Sequence, residues 1–172
     1  CSPDRERYAE KNMSGIDDII KKDGLDILLS EHHKNTKKDI QHGNMSVRQH
    51  TINVARHSVL FCEKLGISCD RRALVRGALL HDYFQYDWHD REHANIFRLH
   101  GIHHPGIALR NAEKEFLLSP VEKDIIKKHM WPLTVVPPSC REAWIVSMAD
   151  KYCSLMETVR LHRKHCGRHQ GR

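Results

Sequence analysis

The six cysteines of this 172-residue chain, at positions 1, 62, 69, 140, 153 and 166, include no C-x-x-C pair and no regular spacing. That lack excludes a disulfide framework and predicts reduced thiols in a cytoplasmic protein. No apolar run reaches the roughly 18–20 residues that cross a bilayer, and no charged segment leads into an apolar one at the start, so neither a membrane span nor a leader is predicted. Strand-like alternation and internal repeats are missing as well. Charge of one sign is scarce except at the end: Arg160, Arg163, Lys164, Arg168 and Arg172 have no acid among them, while the rest of the chain is close to neutral despite the overall charge of +6. A basic tail of this kind is solvated and makes a poor polyanion groove, so no specific nucleic-acid partner is predicted.

What is abundant is histidine, with 15 in the chain and His162, His165 and His169 in the tail. The body therefore holds a surplus of the residue that most often binds metals and moves protons. With 40% hydrophobic residues, the length suits one domain with a substantial core.

Helical periodicity dominates the chain. Residues 1–14 read as a polar lead-in, and Ile16, Ile19, Ile20, Leu25, Ile27, Leu28 and Leu29 predict one or two short helices interrupted near Gly24. His32 and His33 lie in a polar run and read as part of a solvated turn. Ser46 is suited to cap a long helix ended by Gly66. On it, His50 and His57 share a stripe with Val47, Val54 and Phe61, and periodicity alone does not choose between them. Asp70 can cap the next helix, apolar on nearly every face until it ends in His81-Asp82.

The following segment, from Tyr83 to His103, mixes aromatics with acids and histidines and reads as a packed loop or a lid. Pro105 fits the first turn of a further helix. Ser119 with Glu122 forms a capping-box signal for a helix carrying Ile125, Ile126 and His129. Ser139 is a candidate cap for a last helix running to about His162, whose face Ala143, Val146, Ser147, Asp150, Ser154 and Glu157 sets Asp150 among apolar neighbours. A carboxylate there is costly unless it is paired or bound to a cation. The expected fold is all-α.

Several helices thus present an imidazole or a carboxylate from an otherwise apolar face: His50, His81 with Asp82, His129 and Asp150, with His104 at a helix start. Nitrogen and carboxylate donors without cysteine suit a catalytic transition metal (Mn, Fe, Co, Ni or Zn) better than a structural zinc.

The order H, HD, H, H, D resembles that of the HD-domain superfamily of metal-dependent phosphohydrolases, over roughly residues 45–160. His50 followed four residues later by Val54-Ala55 is similar to the first motif of that family and selects His50 over His57. Leu79-Leu80-His81-Asp82 resembles the central motif, and Ala149-Asp150-Lys151 the terminal aspartate motif. The strings 81–89 (His-Asp-Tyr-Phe-Gln-Tyr-Asp-Trp-His), 100–105 (His-Gly-Ile-His-His-Pro) and 129–133 (His-Met-Trp-Pro-Leu) are similar to those of a bacterial subgroup. The Gly-Tyr-Pro motif of the cyclic-dinucleotide branch is absent, with Met130-Trp131-Pro132 after His129, so the substrate of that branch is not carried over.

The resemblance implies a single HD-domain helical bundle at 45–160, with a helical lead-in at 1–44 and a disordered His-rich tail at 161–172. It implies that His50, His81, Asp82 and Asp150 bind one divalent metal ion. His104 and His129 match the extra histidines of members with two ions, where Asp82 bridges them. The implied activity is hydrolysis of a phosphate ester of a nucleotide or small metabolite by a metal-activated water. Asp82, His100 and Lys151 are the candidate catalytic residues, and Arg76, Tyr83, Tyr86, Trp88 and Lys151 the candidate substrate contacts. Relatives of the superfamily that activate oxygen at two irons, and a module that binds metal or nucleotide without turnover, are the alternatives. A homo-oligomer stays open.

Overall fold

The computed structural model of the chain describes residues 3–36, 40–42, 45–83 and 100–166. Most of the described residues lie in seven helices: α1 (Pro3–Leu29), α2 (Glu31–Asn35), α3 (Val47–Leu65), α4 (Arg71–Leu80), α5 (His100–Glu115), α6 (Pro120–Lys128) and α7 (Arg141–Cys166). The all-α expectation holds, with one addition. Strands β1 (Ile40–His42) and β2 (Met45–Ser46) pair antiparallel just before α3, a ladder too short to leave a periodic signal. Among the described residues, no helix is long and apolar enough to cross a membrane.

The ends of the helices follow local chemistry. The Ser46 hydroxyl accepts from the Gln49 N–H at the start of α3, and Gly66, in the left-handed region at φ 63°, closes its end. Asp70 accepts from the Ala73 N–H at the start of α4. Ser119 and Glu122 make a complete capping box on α6. Each such cap satisfies backbone donors that a helix cannot satisfy itself, and is worth about 1 kcal/mol.

Helix α4 is the hub, packing against α1, α3, α5, α6 and α7, and every residue from Ala73 to Leu80 is buried. Gly77 lets α6 approach closely: a Cβ there would stand 2.5 Å from Ile125 Cδ1, well inside contact distance. The close approach matters because α4 ends at His81 and α6 ends at His129.

Four expectations need correction. The first helix starts at Pro3 rather than near residue 14, while the expected interruption at Gly24 is present inside it. His32 and His33 are buried in α2, not solvated. The apolar cover comes from Tyr83, whose ring centroid lies 4.0 Å from that of His32, a partner far along the chain. Helix α5 begins at His100, so Pro105 lies inside it rather than in its first turn; its ring removes one backbone donor, that facing the Gly101 carbonyl. Finally, α7 runs on to Cys166, so the first tail residues are helical.

Candidate metal centre

The core of the bundle contains a knot of polar side chains supplied by four helices. His50 comes from the first turn of α3, His81 and Asp82 from the turn that closes α4, His129 from the C-terminal cap of α6, and Asp150 and Glu157 from α7. His50, His81 and His129 are 0–1% exposed and Asp82 is 4% exposed, so their environment is the protein interior.

Two of the imidazoles are held in the same way. His81 Nδ1 lies 2.7 Å from the Ala78 carbonyl and His129 Nδ1 lies 2.8 Å from the Ile126 carbonyl, each three residues back on its own helix. A carbonyl only accepts, so Nδ1 carries the proton in both rings and Nε2 is the atom turned into the cluster. The two rings stand 4.9 Å apart edge to face. Asp82 lies between them, with Oδ2 at 3.4 Å from His81 Nε2 and Oδ1 at 3.6 Å from His129 Nε2.

His50 is oriented from the opposite side. Its Nδ1 lies 3.0 Å from Glu157 Oε2 and its Nε2 lies 3.1 Å from Asp150 Oδ1. Burial opposes charge on His50, but the hydrogen bonds to Asp150 and Glu157 outweigh it and raise its pKa to about 9. Burial likewise opposes charge on His81, and Asp82 and Asp150 hold its pKa well above the ordinary value all the same. Burial would raise the pKa of Asp150; the His50 and His81 imidazoles hold it well below the carboxylate range instead. The carboxylates therefore call for positive charge, which protons on His50 and His81 can supply.

A divalent cation can supply the same charge, and the donors fit one. His81 Nε2 is buried without a hydrogen-bond partner among the described residues, and the oxygens nearest to it are Asp82 Oδ2 at 3.4 Å and Asp150 Oδ1 at 3.7 Å. One ligand atom each from His50, His81 and Asp82 lies within 4.8 Å of the others. An imidazole Nε2 facing two carboxylates, once its proton is displaced, completes a set of nitrogen and oxygen ligands of the kind that binds Mn, Fe, Co, Ni or Zn. Glu157 adds the carboxylate that fixes the ring and tautomer of a ligating histidine.

Of the residues singled out by sequence, His50, His81, Asp82, His129 and Asp150 come together here. His100 and His104 belong to the first turns of α5, and their side chains lie outside the described residues, as do Tyr86 and Trp88. Arg76 is committed elsewhere: its guanidinium is 2.6 Å from Glu122 and 2.5 Å from Asp26, so two carboxylates occupy the group offered to a phosphate. Lys151 Nζ donates to the His129 carbonyl at 2.9 Å and to Ser147 Oγ at 2.9 Å, and Ser147 Oγ donates to the same carbonyl at 2.8 Å. Together they tie the end of α6, and so His129, to α7. Tyr83 packs its ring between His32 and Phe116 and donates its hydroxyl to Glu115 at 2.8 Å.

Glu157 is the site residue that sequence reading assigned no role. It sits seven residues after Asp150, on the same face of α7, and that spacing was its only signal. A model of the HD domain matches residues 47–155, the span that carries His50, His81, Asp82, His129 and Asp150. No curated protein and no solved structure shows a match.

Proposed function

The chain belongs to the HD-domain family, and from that premise and the buried donor cluster we propose that it is a metal-dependent phosphohydrolase acting on a phosphate ester of a nucleotide or small metabolite. The observation that carries the reading is His81 Nε2, fully buried, without a hydrogen bond among the described residues, and facing Asp82 and Asp150. A structural histidine in that position would have a partner, because an unsatisfied buried polar atom costs about 1–3 kcal/mol.

His50, His81, Asp82 and Asp150 would hold the ion, with His129 and His104 serving a second one. When bound, the ion supplies Lewis acidity, which lowers the pKa of a coordinated water toward neutral and offsets charge on the phosphoryl oxygens. The remaining work falls to the protein. Glu157 keeps the His50 proton on Nδ1, and the carbonyls of Ala78 and Ile126 do the same for His81 and His129, so that three Nε2 atoms are presented as donors. Asp82, fixed by its place immediately after α4, spans the gap between His81 and His129. His100, one turn before His104 on α5, is the proposed proton relay, and Tyr86 and Trp88 the proposed walls of the substrate side.

A panel of nucleotides and phosphate esters, assayed with Mn, Co, Ni, Fe and Zn, tests the reading. Metal-dependent phosphate release that Asp82→Ala abolishes while the fold is retained is the expected result. Two irons per chain with an oxygen-sensitive visible spectrum and no phosphate release would replace it with the oxygenase alternative.

A further inference from the structure

Away from the metal centre, the end of α3 and the start of α4 bring two sulfurs together. Cys62 lies in the penultimate turn of α3, and Cys69 precedes Asp70, the cap of α4. Gly66 reverses the chain between them, the Ile67 N–H returns to the Cys62 carbonyl at 2.9 Å, and the two Sγ atoms end 3.0 Å apart. That separation is about 1 Å longer than a disulfide bond. The loop is held in place from α7: Arg141 donates to the Ser68 carbonyl at 2.7 Å, and Glu142 accepts from the Asp70 N–H at 3.0 Å. The other described cysteines have no such partner, since Cys140 faces Asp124 and Cys153 faces His57.

A cavity of about 340 Å³ is lined in part by Val59, Cys62, Ile67, Cys69 and Leu74, so both cysteines border space wide enough for a small oxidant. Cys62 is buried while Cys69 is partly exposed. Cys69 sits just ahead of Asp70, the cap of α4, at the mouth of the loop that α7 holds in place.

We propose that Cys62 and Cys69 form a redox couple that closes to a disulfide in the presence of a peroxide and reopens with a thiol reductant. Cys69 attacks the peroxide, breaking the O–O bond to give a sulfenic acid and one water. The Cys62 sulfur then attacks the Cys69 sulfur, forming the S–S bond, and the sulfenic hydroxyl leaves with the Cys62 proton as a second water. Overall two thiols are oxidised and one peroxide is reduced to two waters. Cys69 is the partly exposed sulfur and Cys62 the buried one, so Cys69 is the sulfur a peroxide meets first; burial, followed by the neighbouring Cys69 sulfur, pushes the Cys62 thiol up to about 12. The bridge would brace the turn joining the helices that carry His50 and His81-Asp82.

Lys64 lies between the two cysteines, so trypsin separates them unless they are bridged. The full-length protein is reduced, freed of reductant, treated with one equivalent of hydrogen peroxide, alkylated and digested. The expected result is a linked peptide pair, two hydrogen atoms lighter than its two thiol peptides, with two of the six thiols lost to titration and regained with dithiothreitol. In Cys69→Ser, Cys62 is expected to stay fully alkylated. Cys69 recovered as a sulfinic acid beside an alkylated Cys62, or a bridge from either cysteine to another partner, would overturn the proposal. So would two unoxidised thiols at 62 and 69 after other cysteines have reacted.

Discussion

Helix α4 carries Arg76 at its middle and leads into His81-Asp82 at its end, two buried polar groups that differ in one respect that matters. Arg76 is enclosed by Glu122 and Asp26 at 2.6 and 2.5 Å and lies over the Phe116 ring, so its charge is matched where it sits. At the end of the helix, His81 and Asp82 meet three further imidazoles and carboxylates, yet His81 Nε2 makes no hydrogen bond among the described residues. Burial is common to both groups and says little about function. An arginine closed by carboxylates is complete as built, whereas histidines and carboxylates with one nitrogen left over have room for a cation to complete them.

Breaking the complete pair should have the largest effect on the fold. Arg76→Met leaves Glu122 buried without its partner, and urea denaturation should show a loss of about 3–5 kcal/mol. The metal affinity of the folded fraction should be unchanged. If metal binding falls with little loss of stability, Arg76 belongs to the site and the contrast along α4 is wrong.

A third buried group sharpens the contrast. His33 Nδ1 is also buried without a hydrogen-bond partner among the described residues, but its other nitrogen faces the Thr51 hydroxyl. Burial first, then the charge of Arg48, lowers its pKa to about 4. The folded protein thus holds His33 neutral between the two values, while the unfolded chain takes up a proton below the ordinary pKa of about 6.5. Stability should fall as pH drops from about 6.5 to about 4, by up to about 3 kcal/mol. In His33→Gln that part of the pH dependence should vanish, as measured by denaturation at several pH values. A zinc or manganese effect on the His33 contribution would show that a buried lone pair alone suffices to bind metal.

Glu157→Gln tests orientation rather than ligation. Removing the carboxylate that holds His50 Nδ1 should weaken metal affinity by about 10–100-fold, the usual cost of losing such support. Calorimetry should show the loss of affinity, and because Glu157 also pairs with buried His50 in the absence of metal, the metal-free protein should lose some stability as well.

The smallest effect is a count of protons. His50, raised to about 9, and His81, raised well above its ordinary value, both hold protons near neutral pH without metal. Binding a divalent ion should release about two protons, and affinity should fall as pH falls. Titrations in buffers of different ionisation enthalpy give the count, and a value near zero would mean that the ion binds somewhere else.

Much of the frame was legible in the chain because it rests on local rules. Ser46, Gly66, Asp70 and the Ser119–Glu122 box fix helix ends with residues a few positions away, and the apolar stripe of α3 already carried His50. What stayed hidden depends on partners distant in sequence. Arg76 meets Glu122 across 46 positions, His32 is covered by Tyr83, and Glu157 gains a role only when α7 is laid beside α3. Polar residues on a short segment look solvated until something packs over them, and a carboxylate on a helix face has no assignment until its imidazole is known.

The central claim is that the cluster at the end of α4 is a metal centre, and anomalous diffraction tests it most directly. Crystals of the protein lacking the tail with His162, His165, Cys166 and His169, soaked with manganese, should show an anomalous peak in contact with His81, Asp82 and Asp150. Fully occupied manganese elsewhere, with none at these three residues, would contradict it.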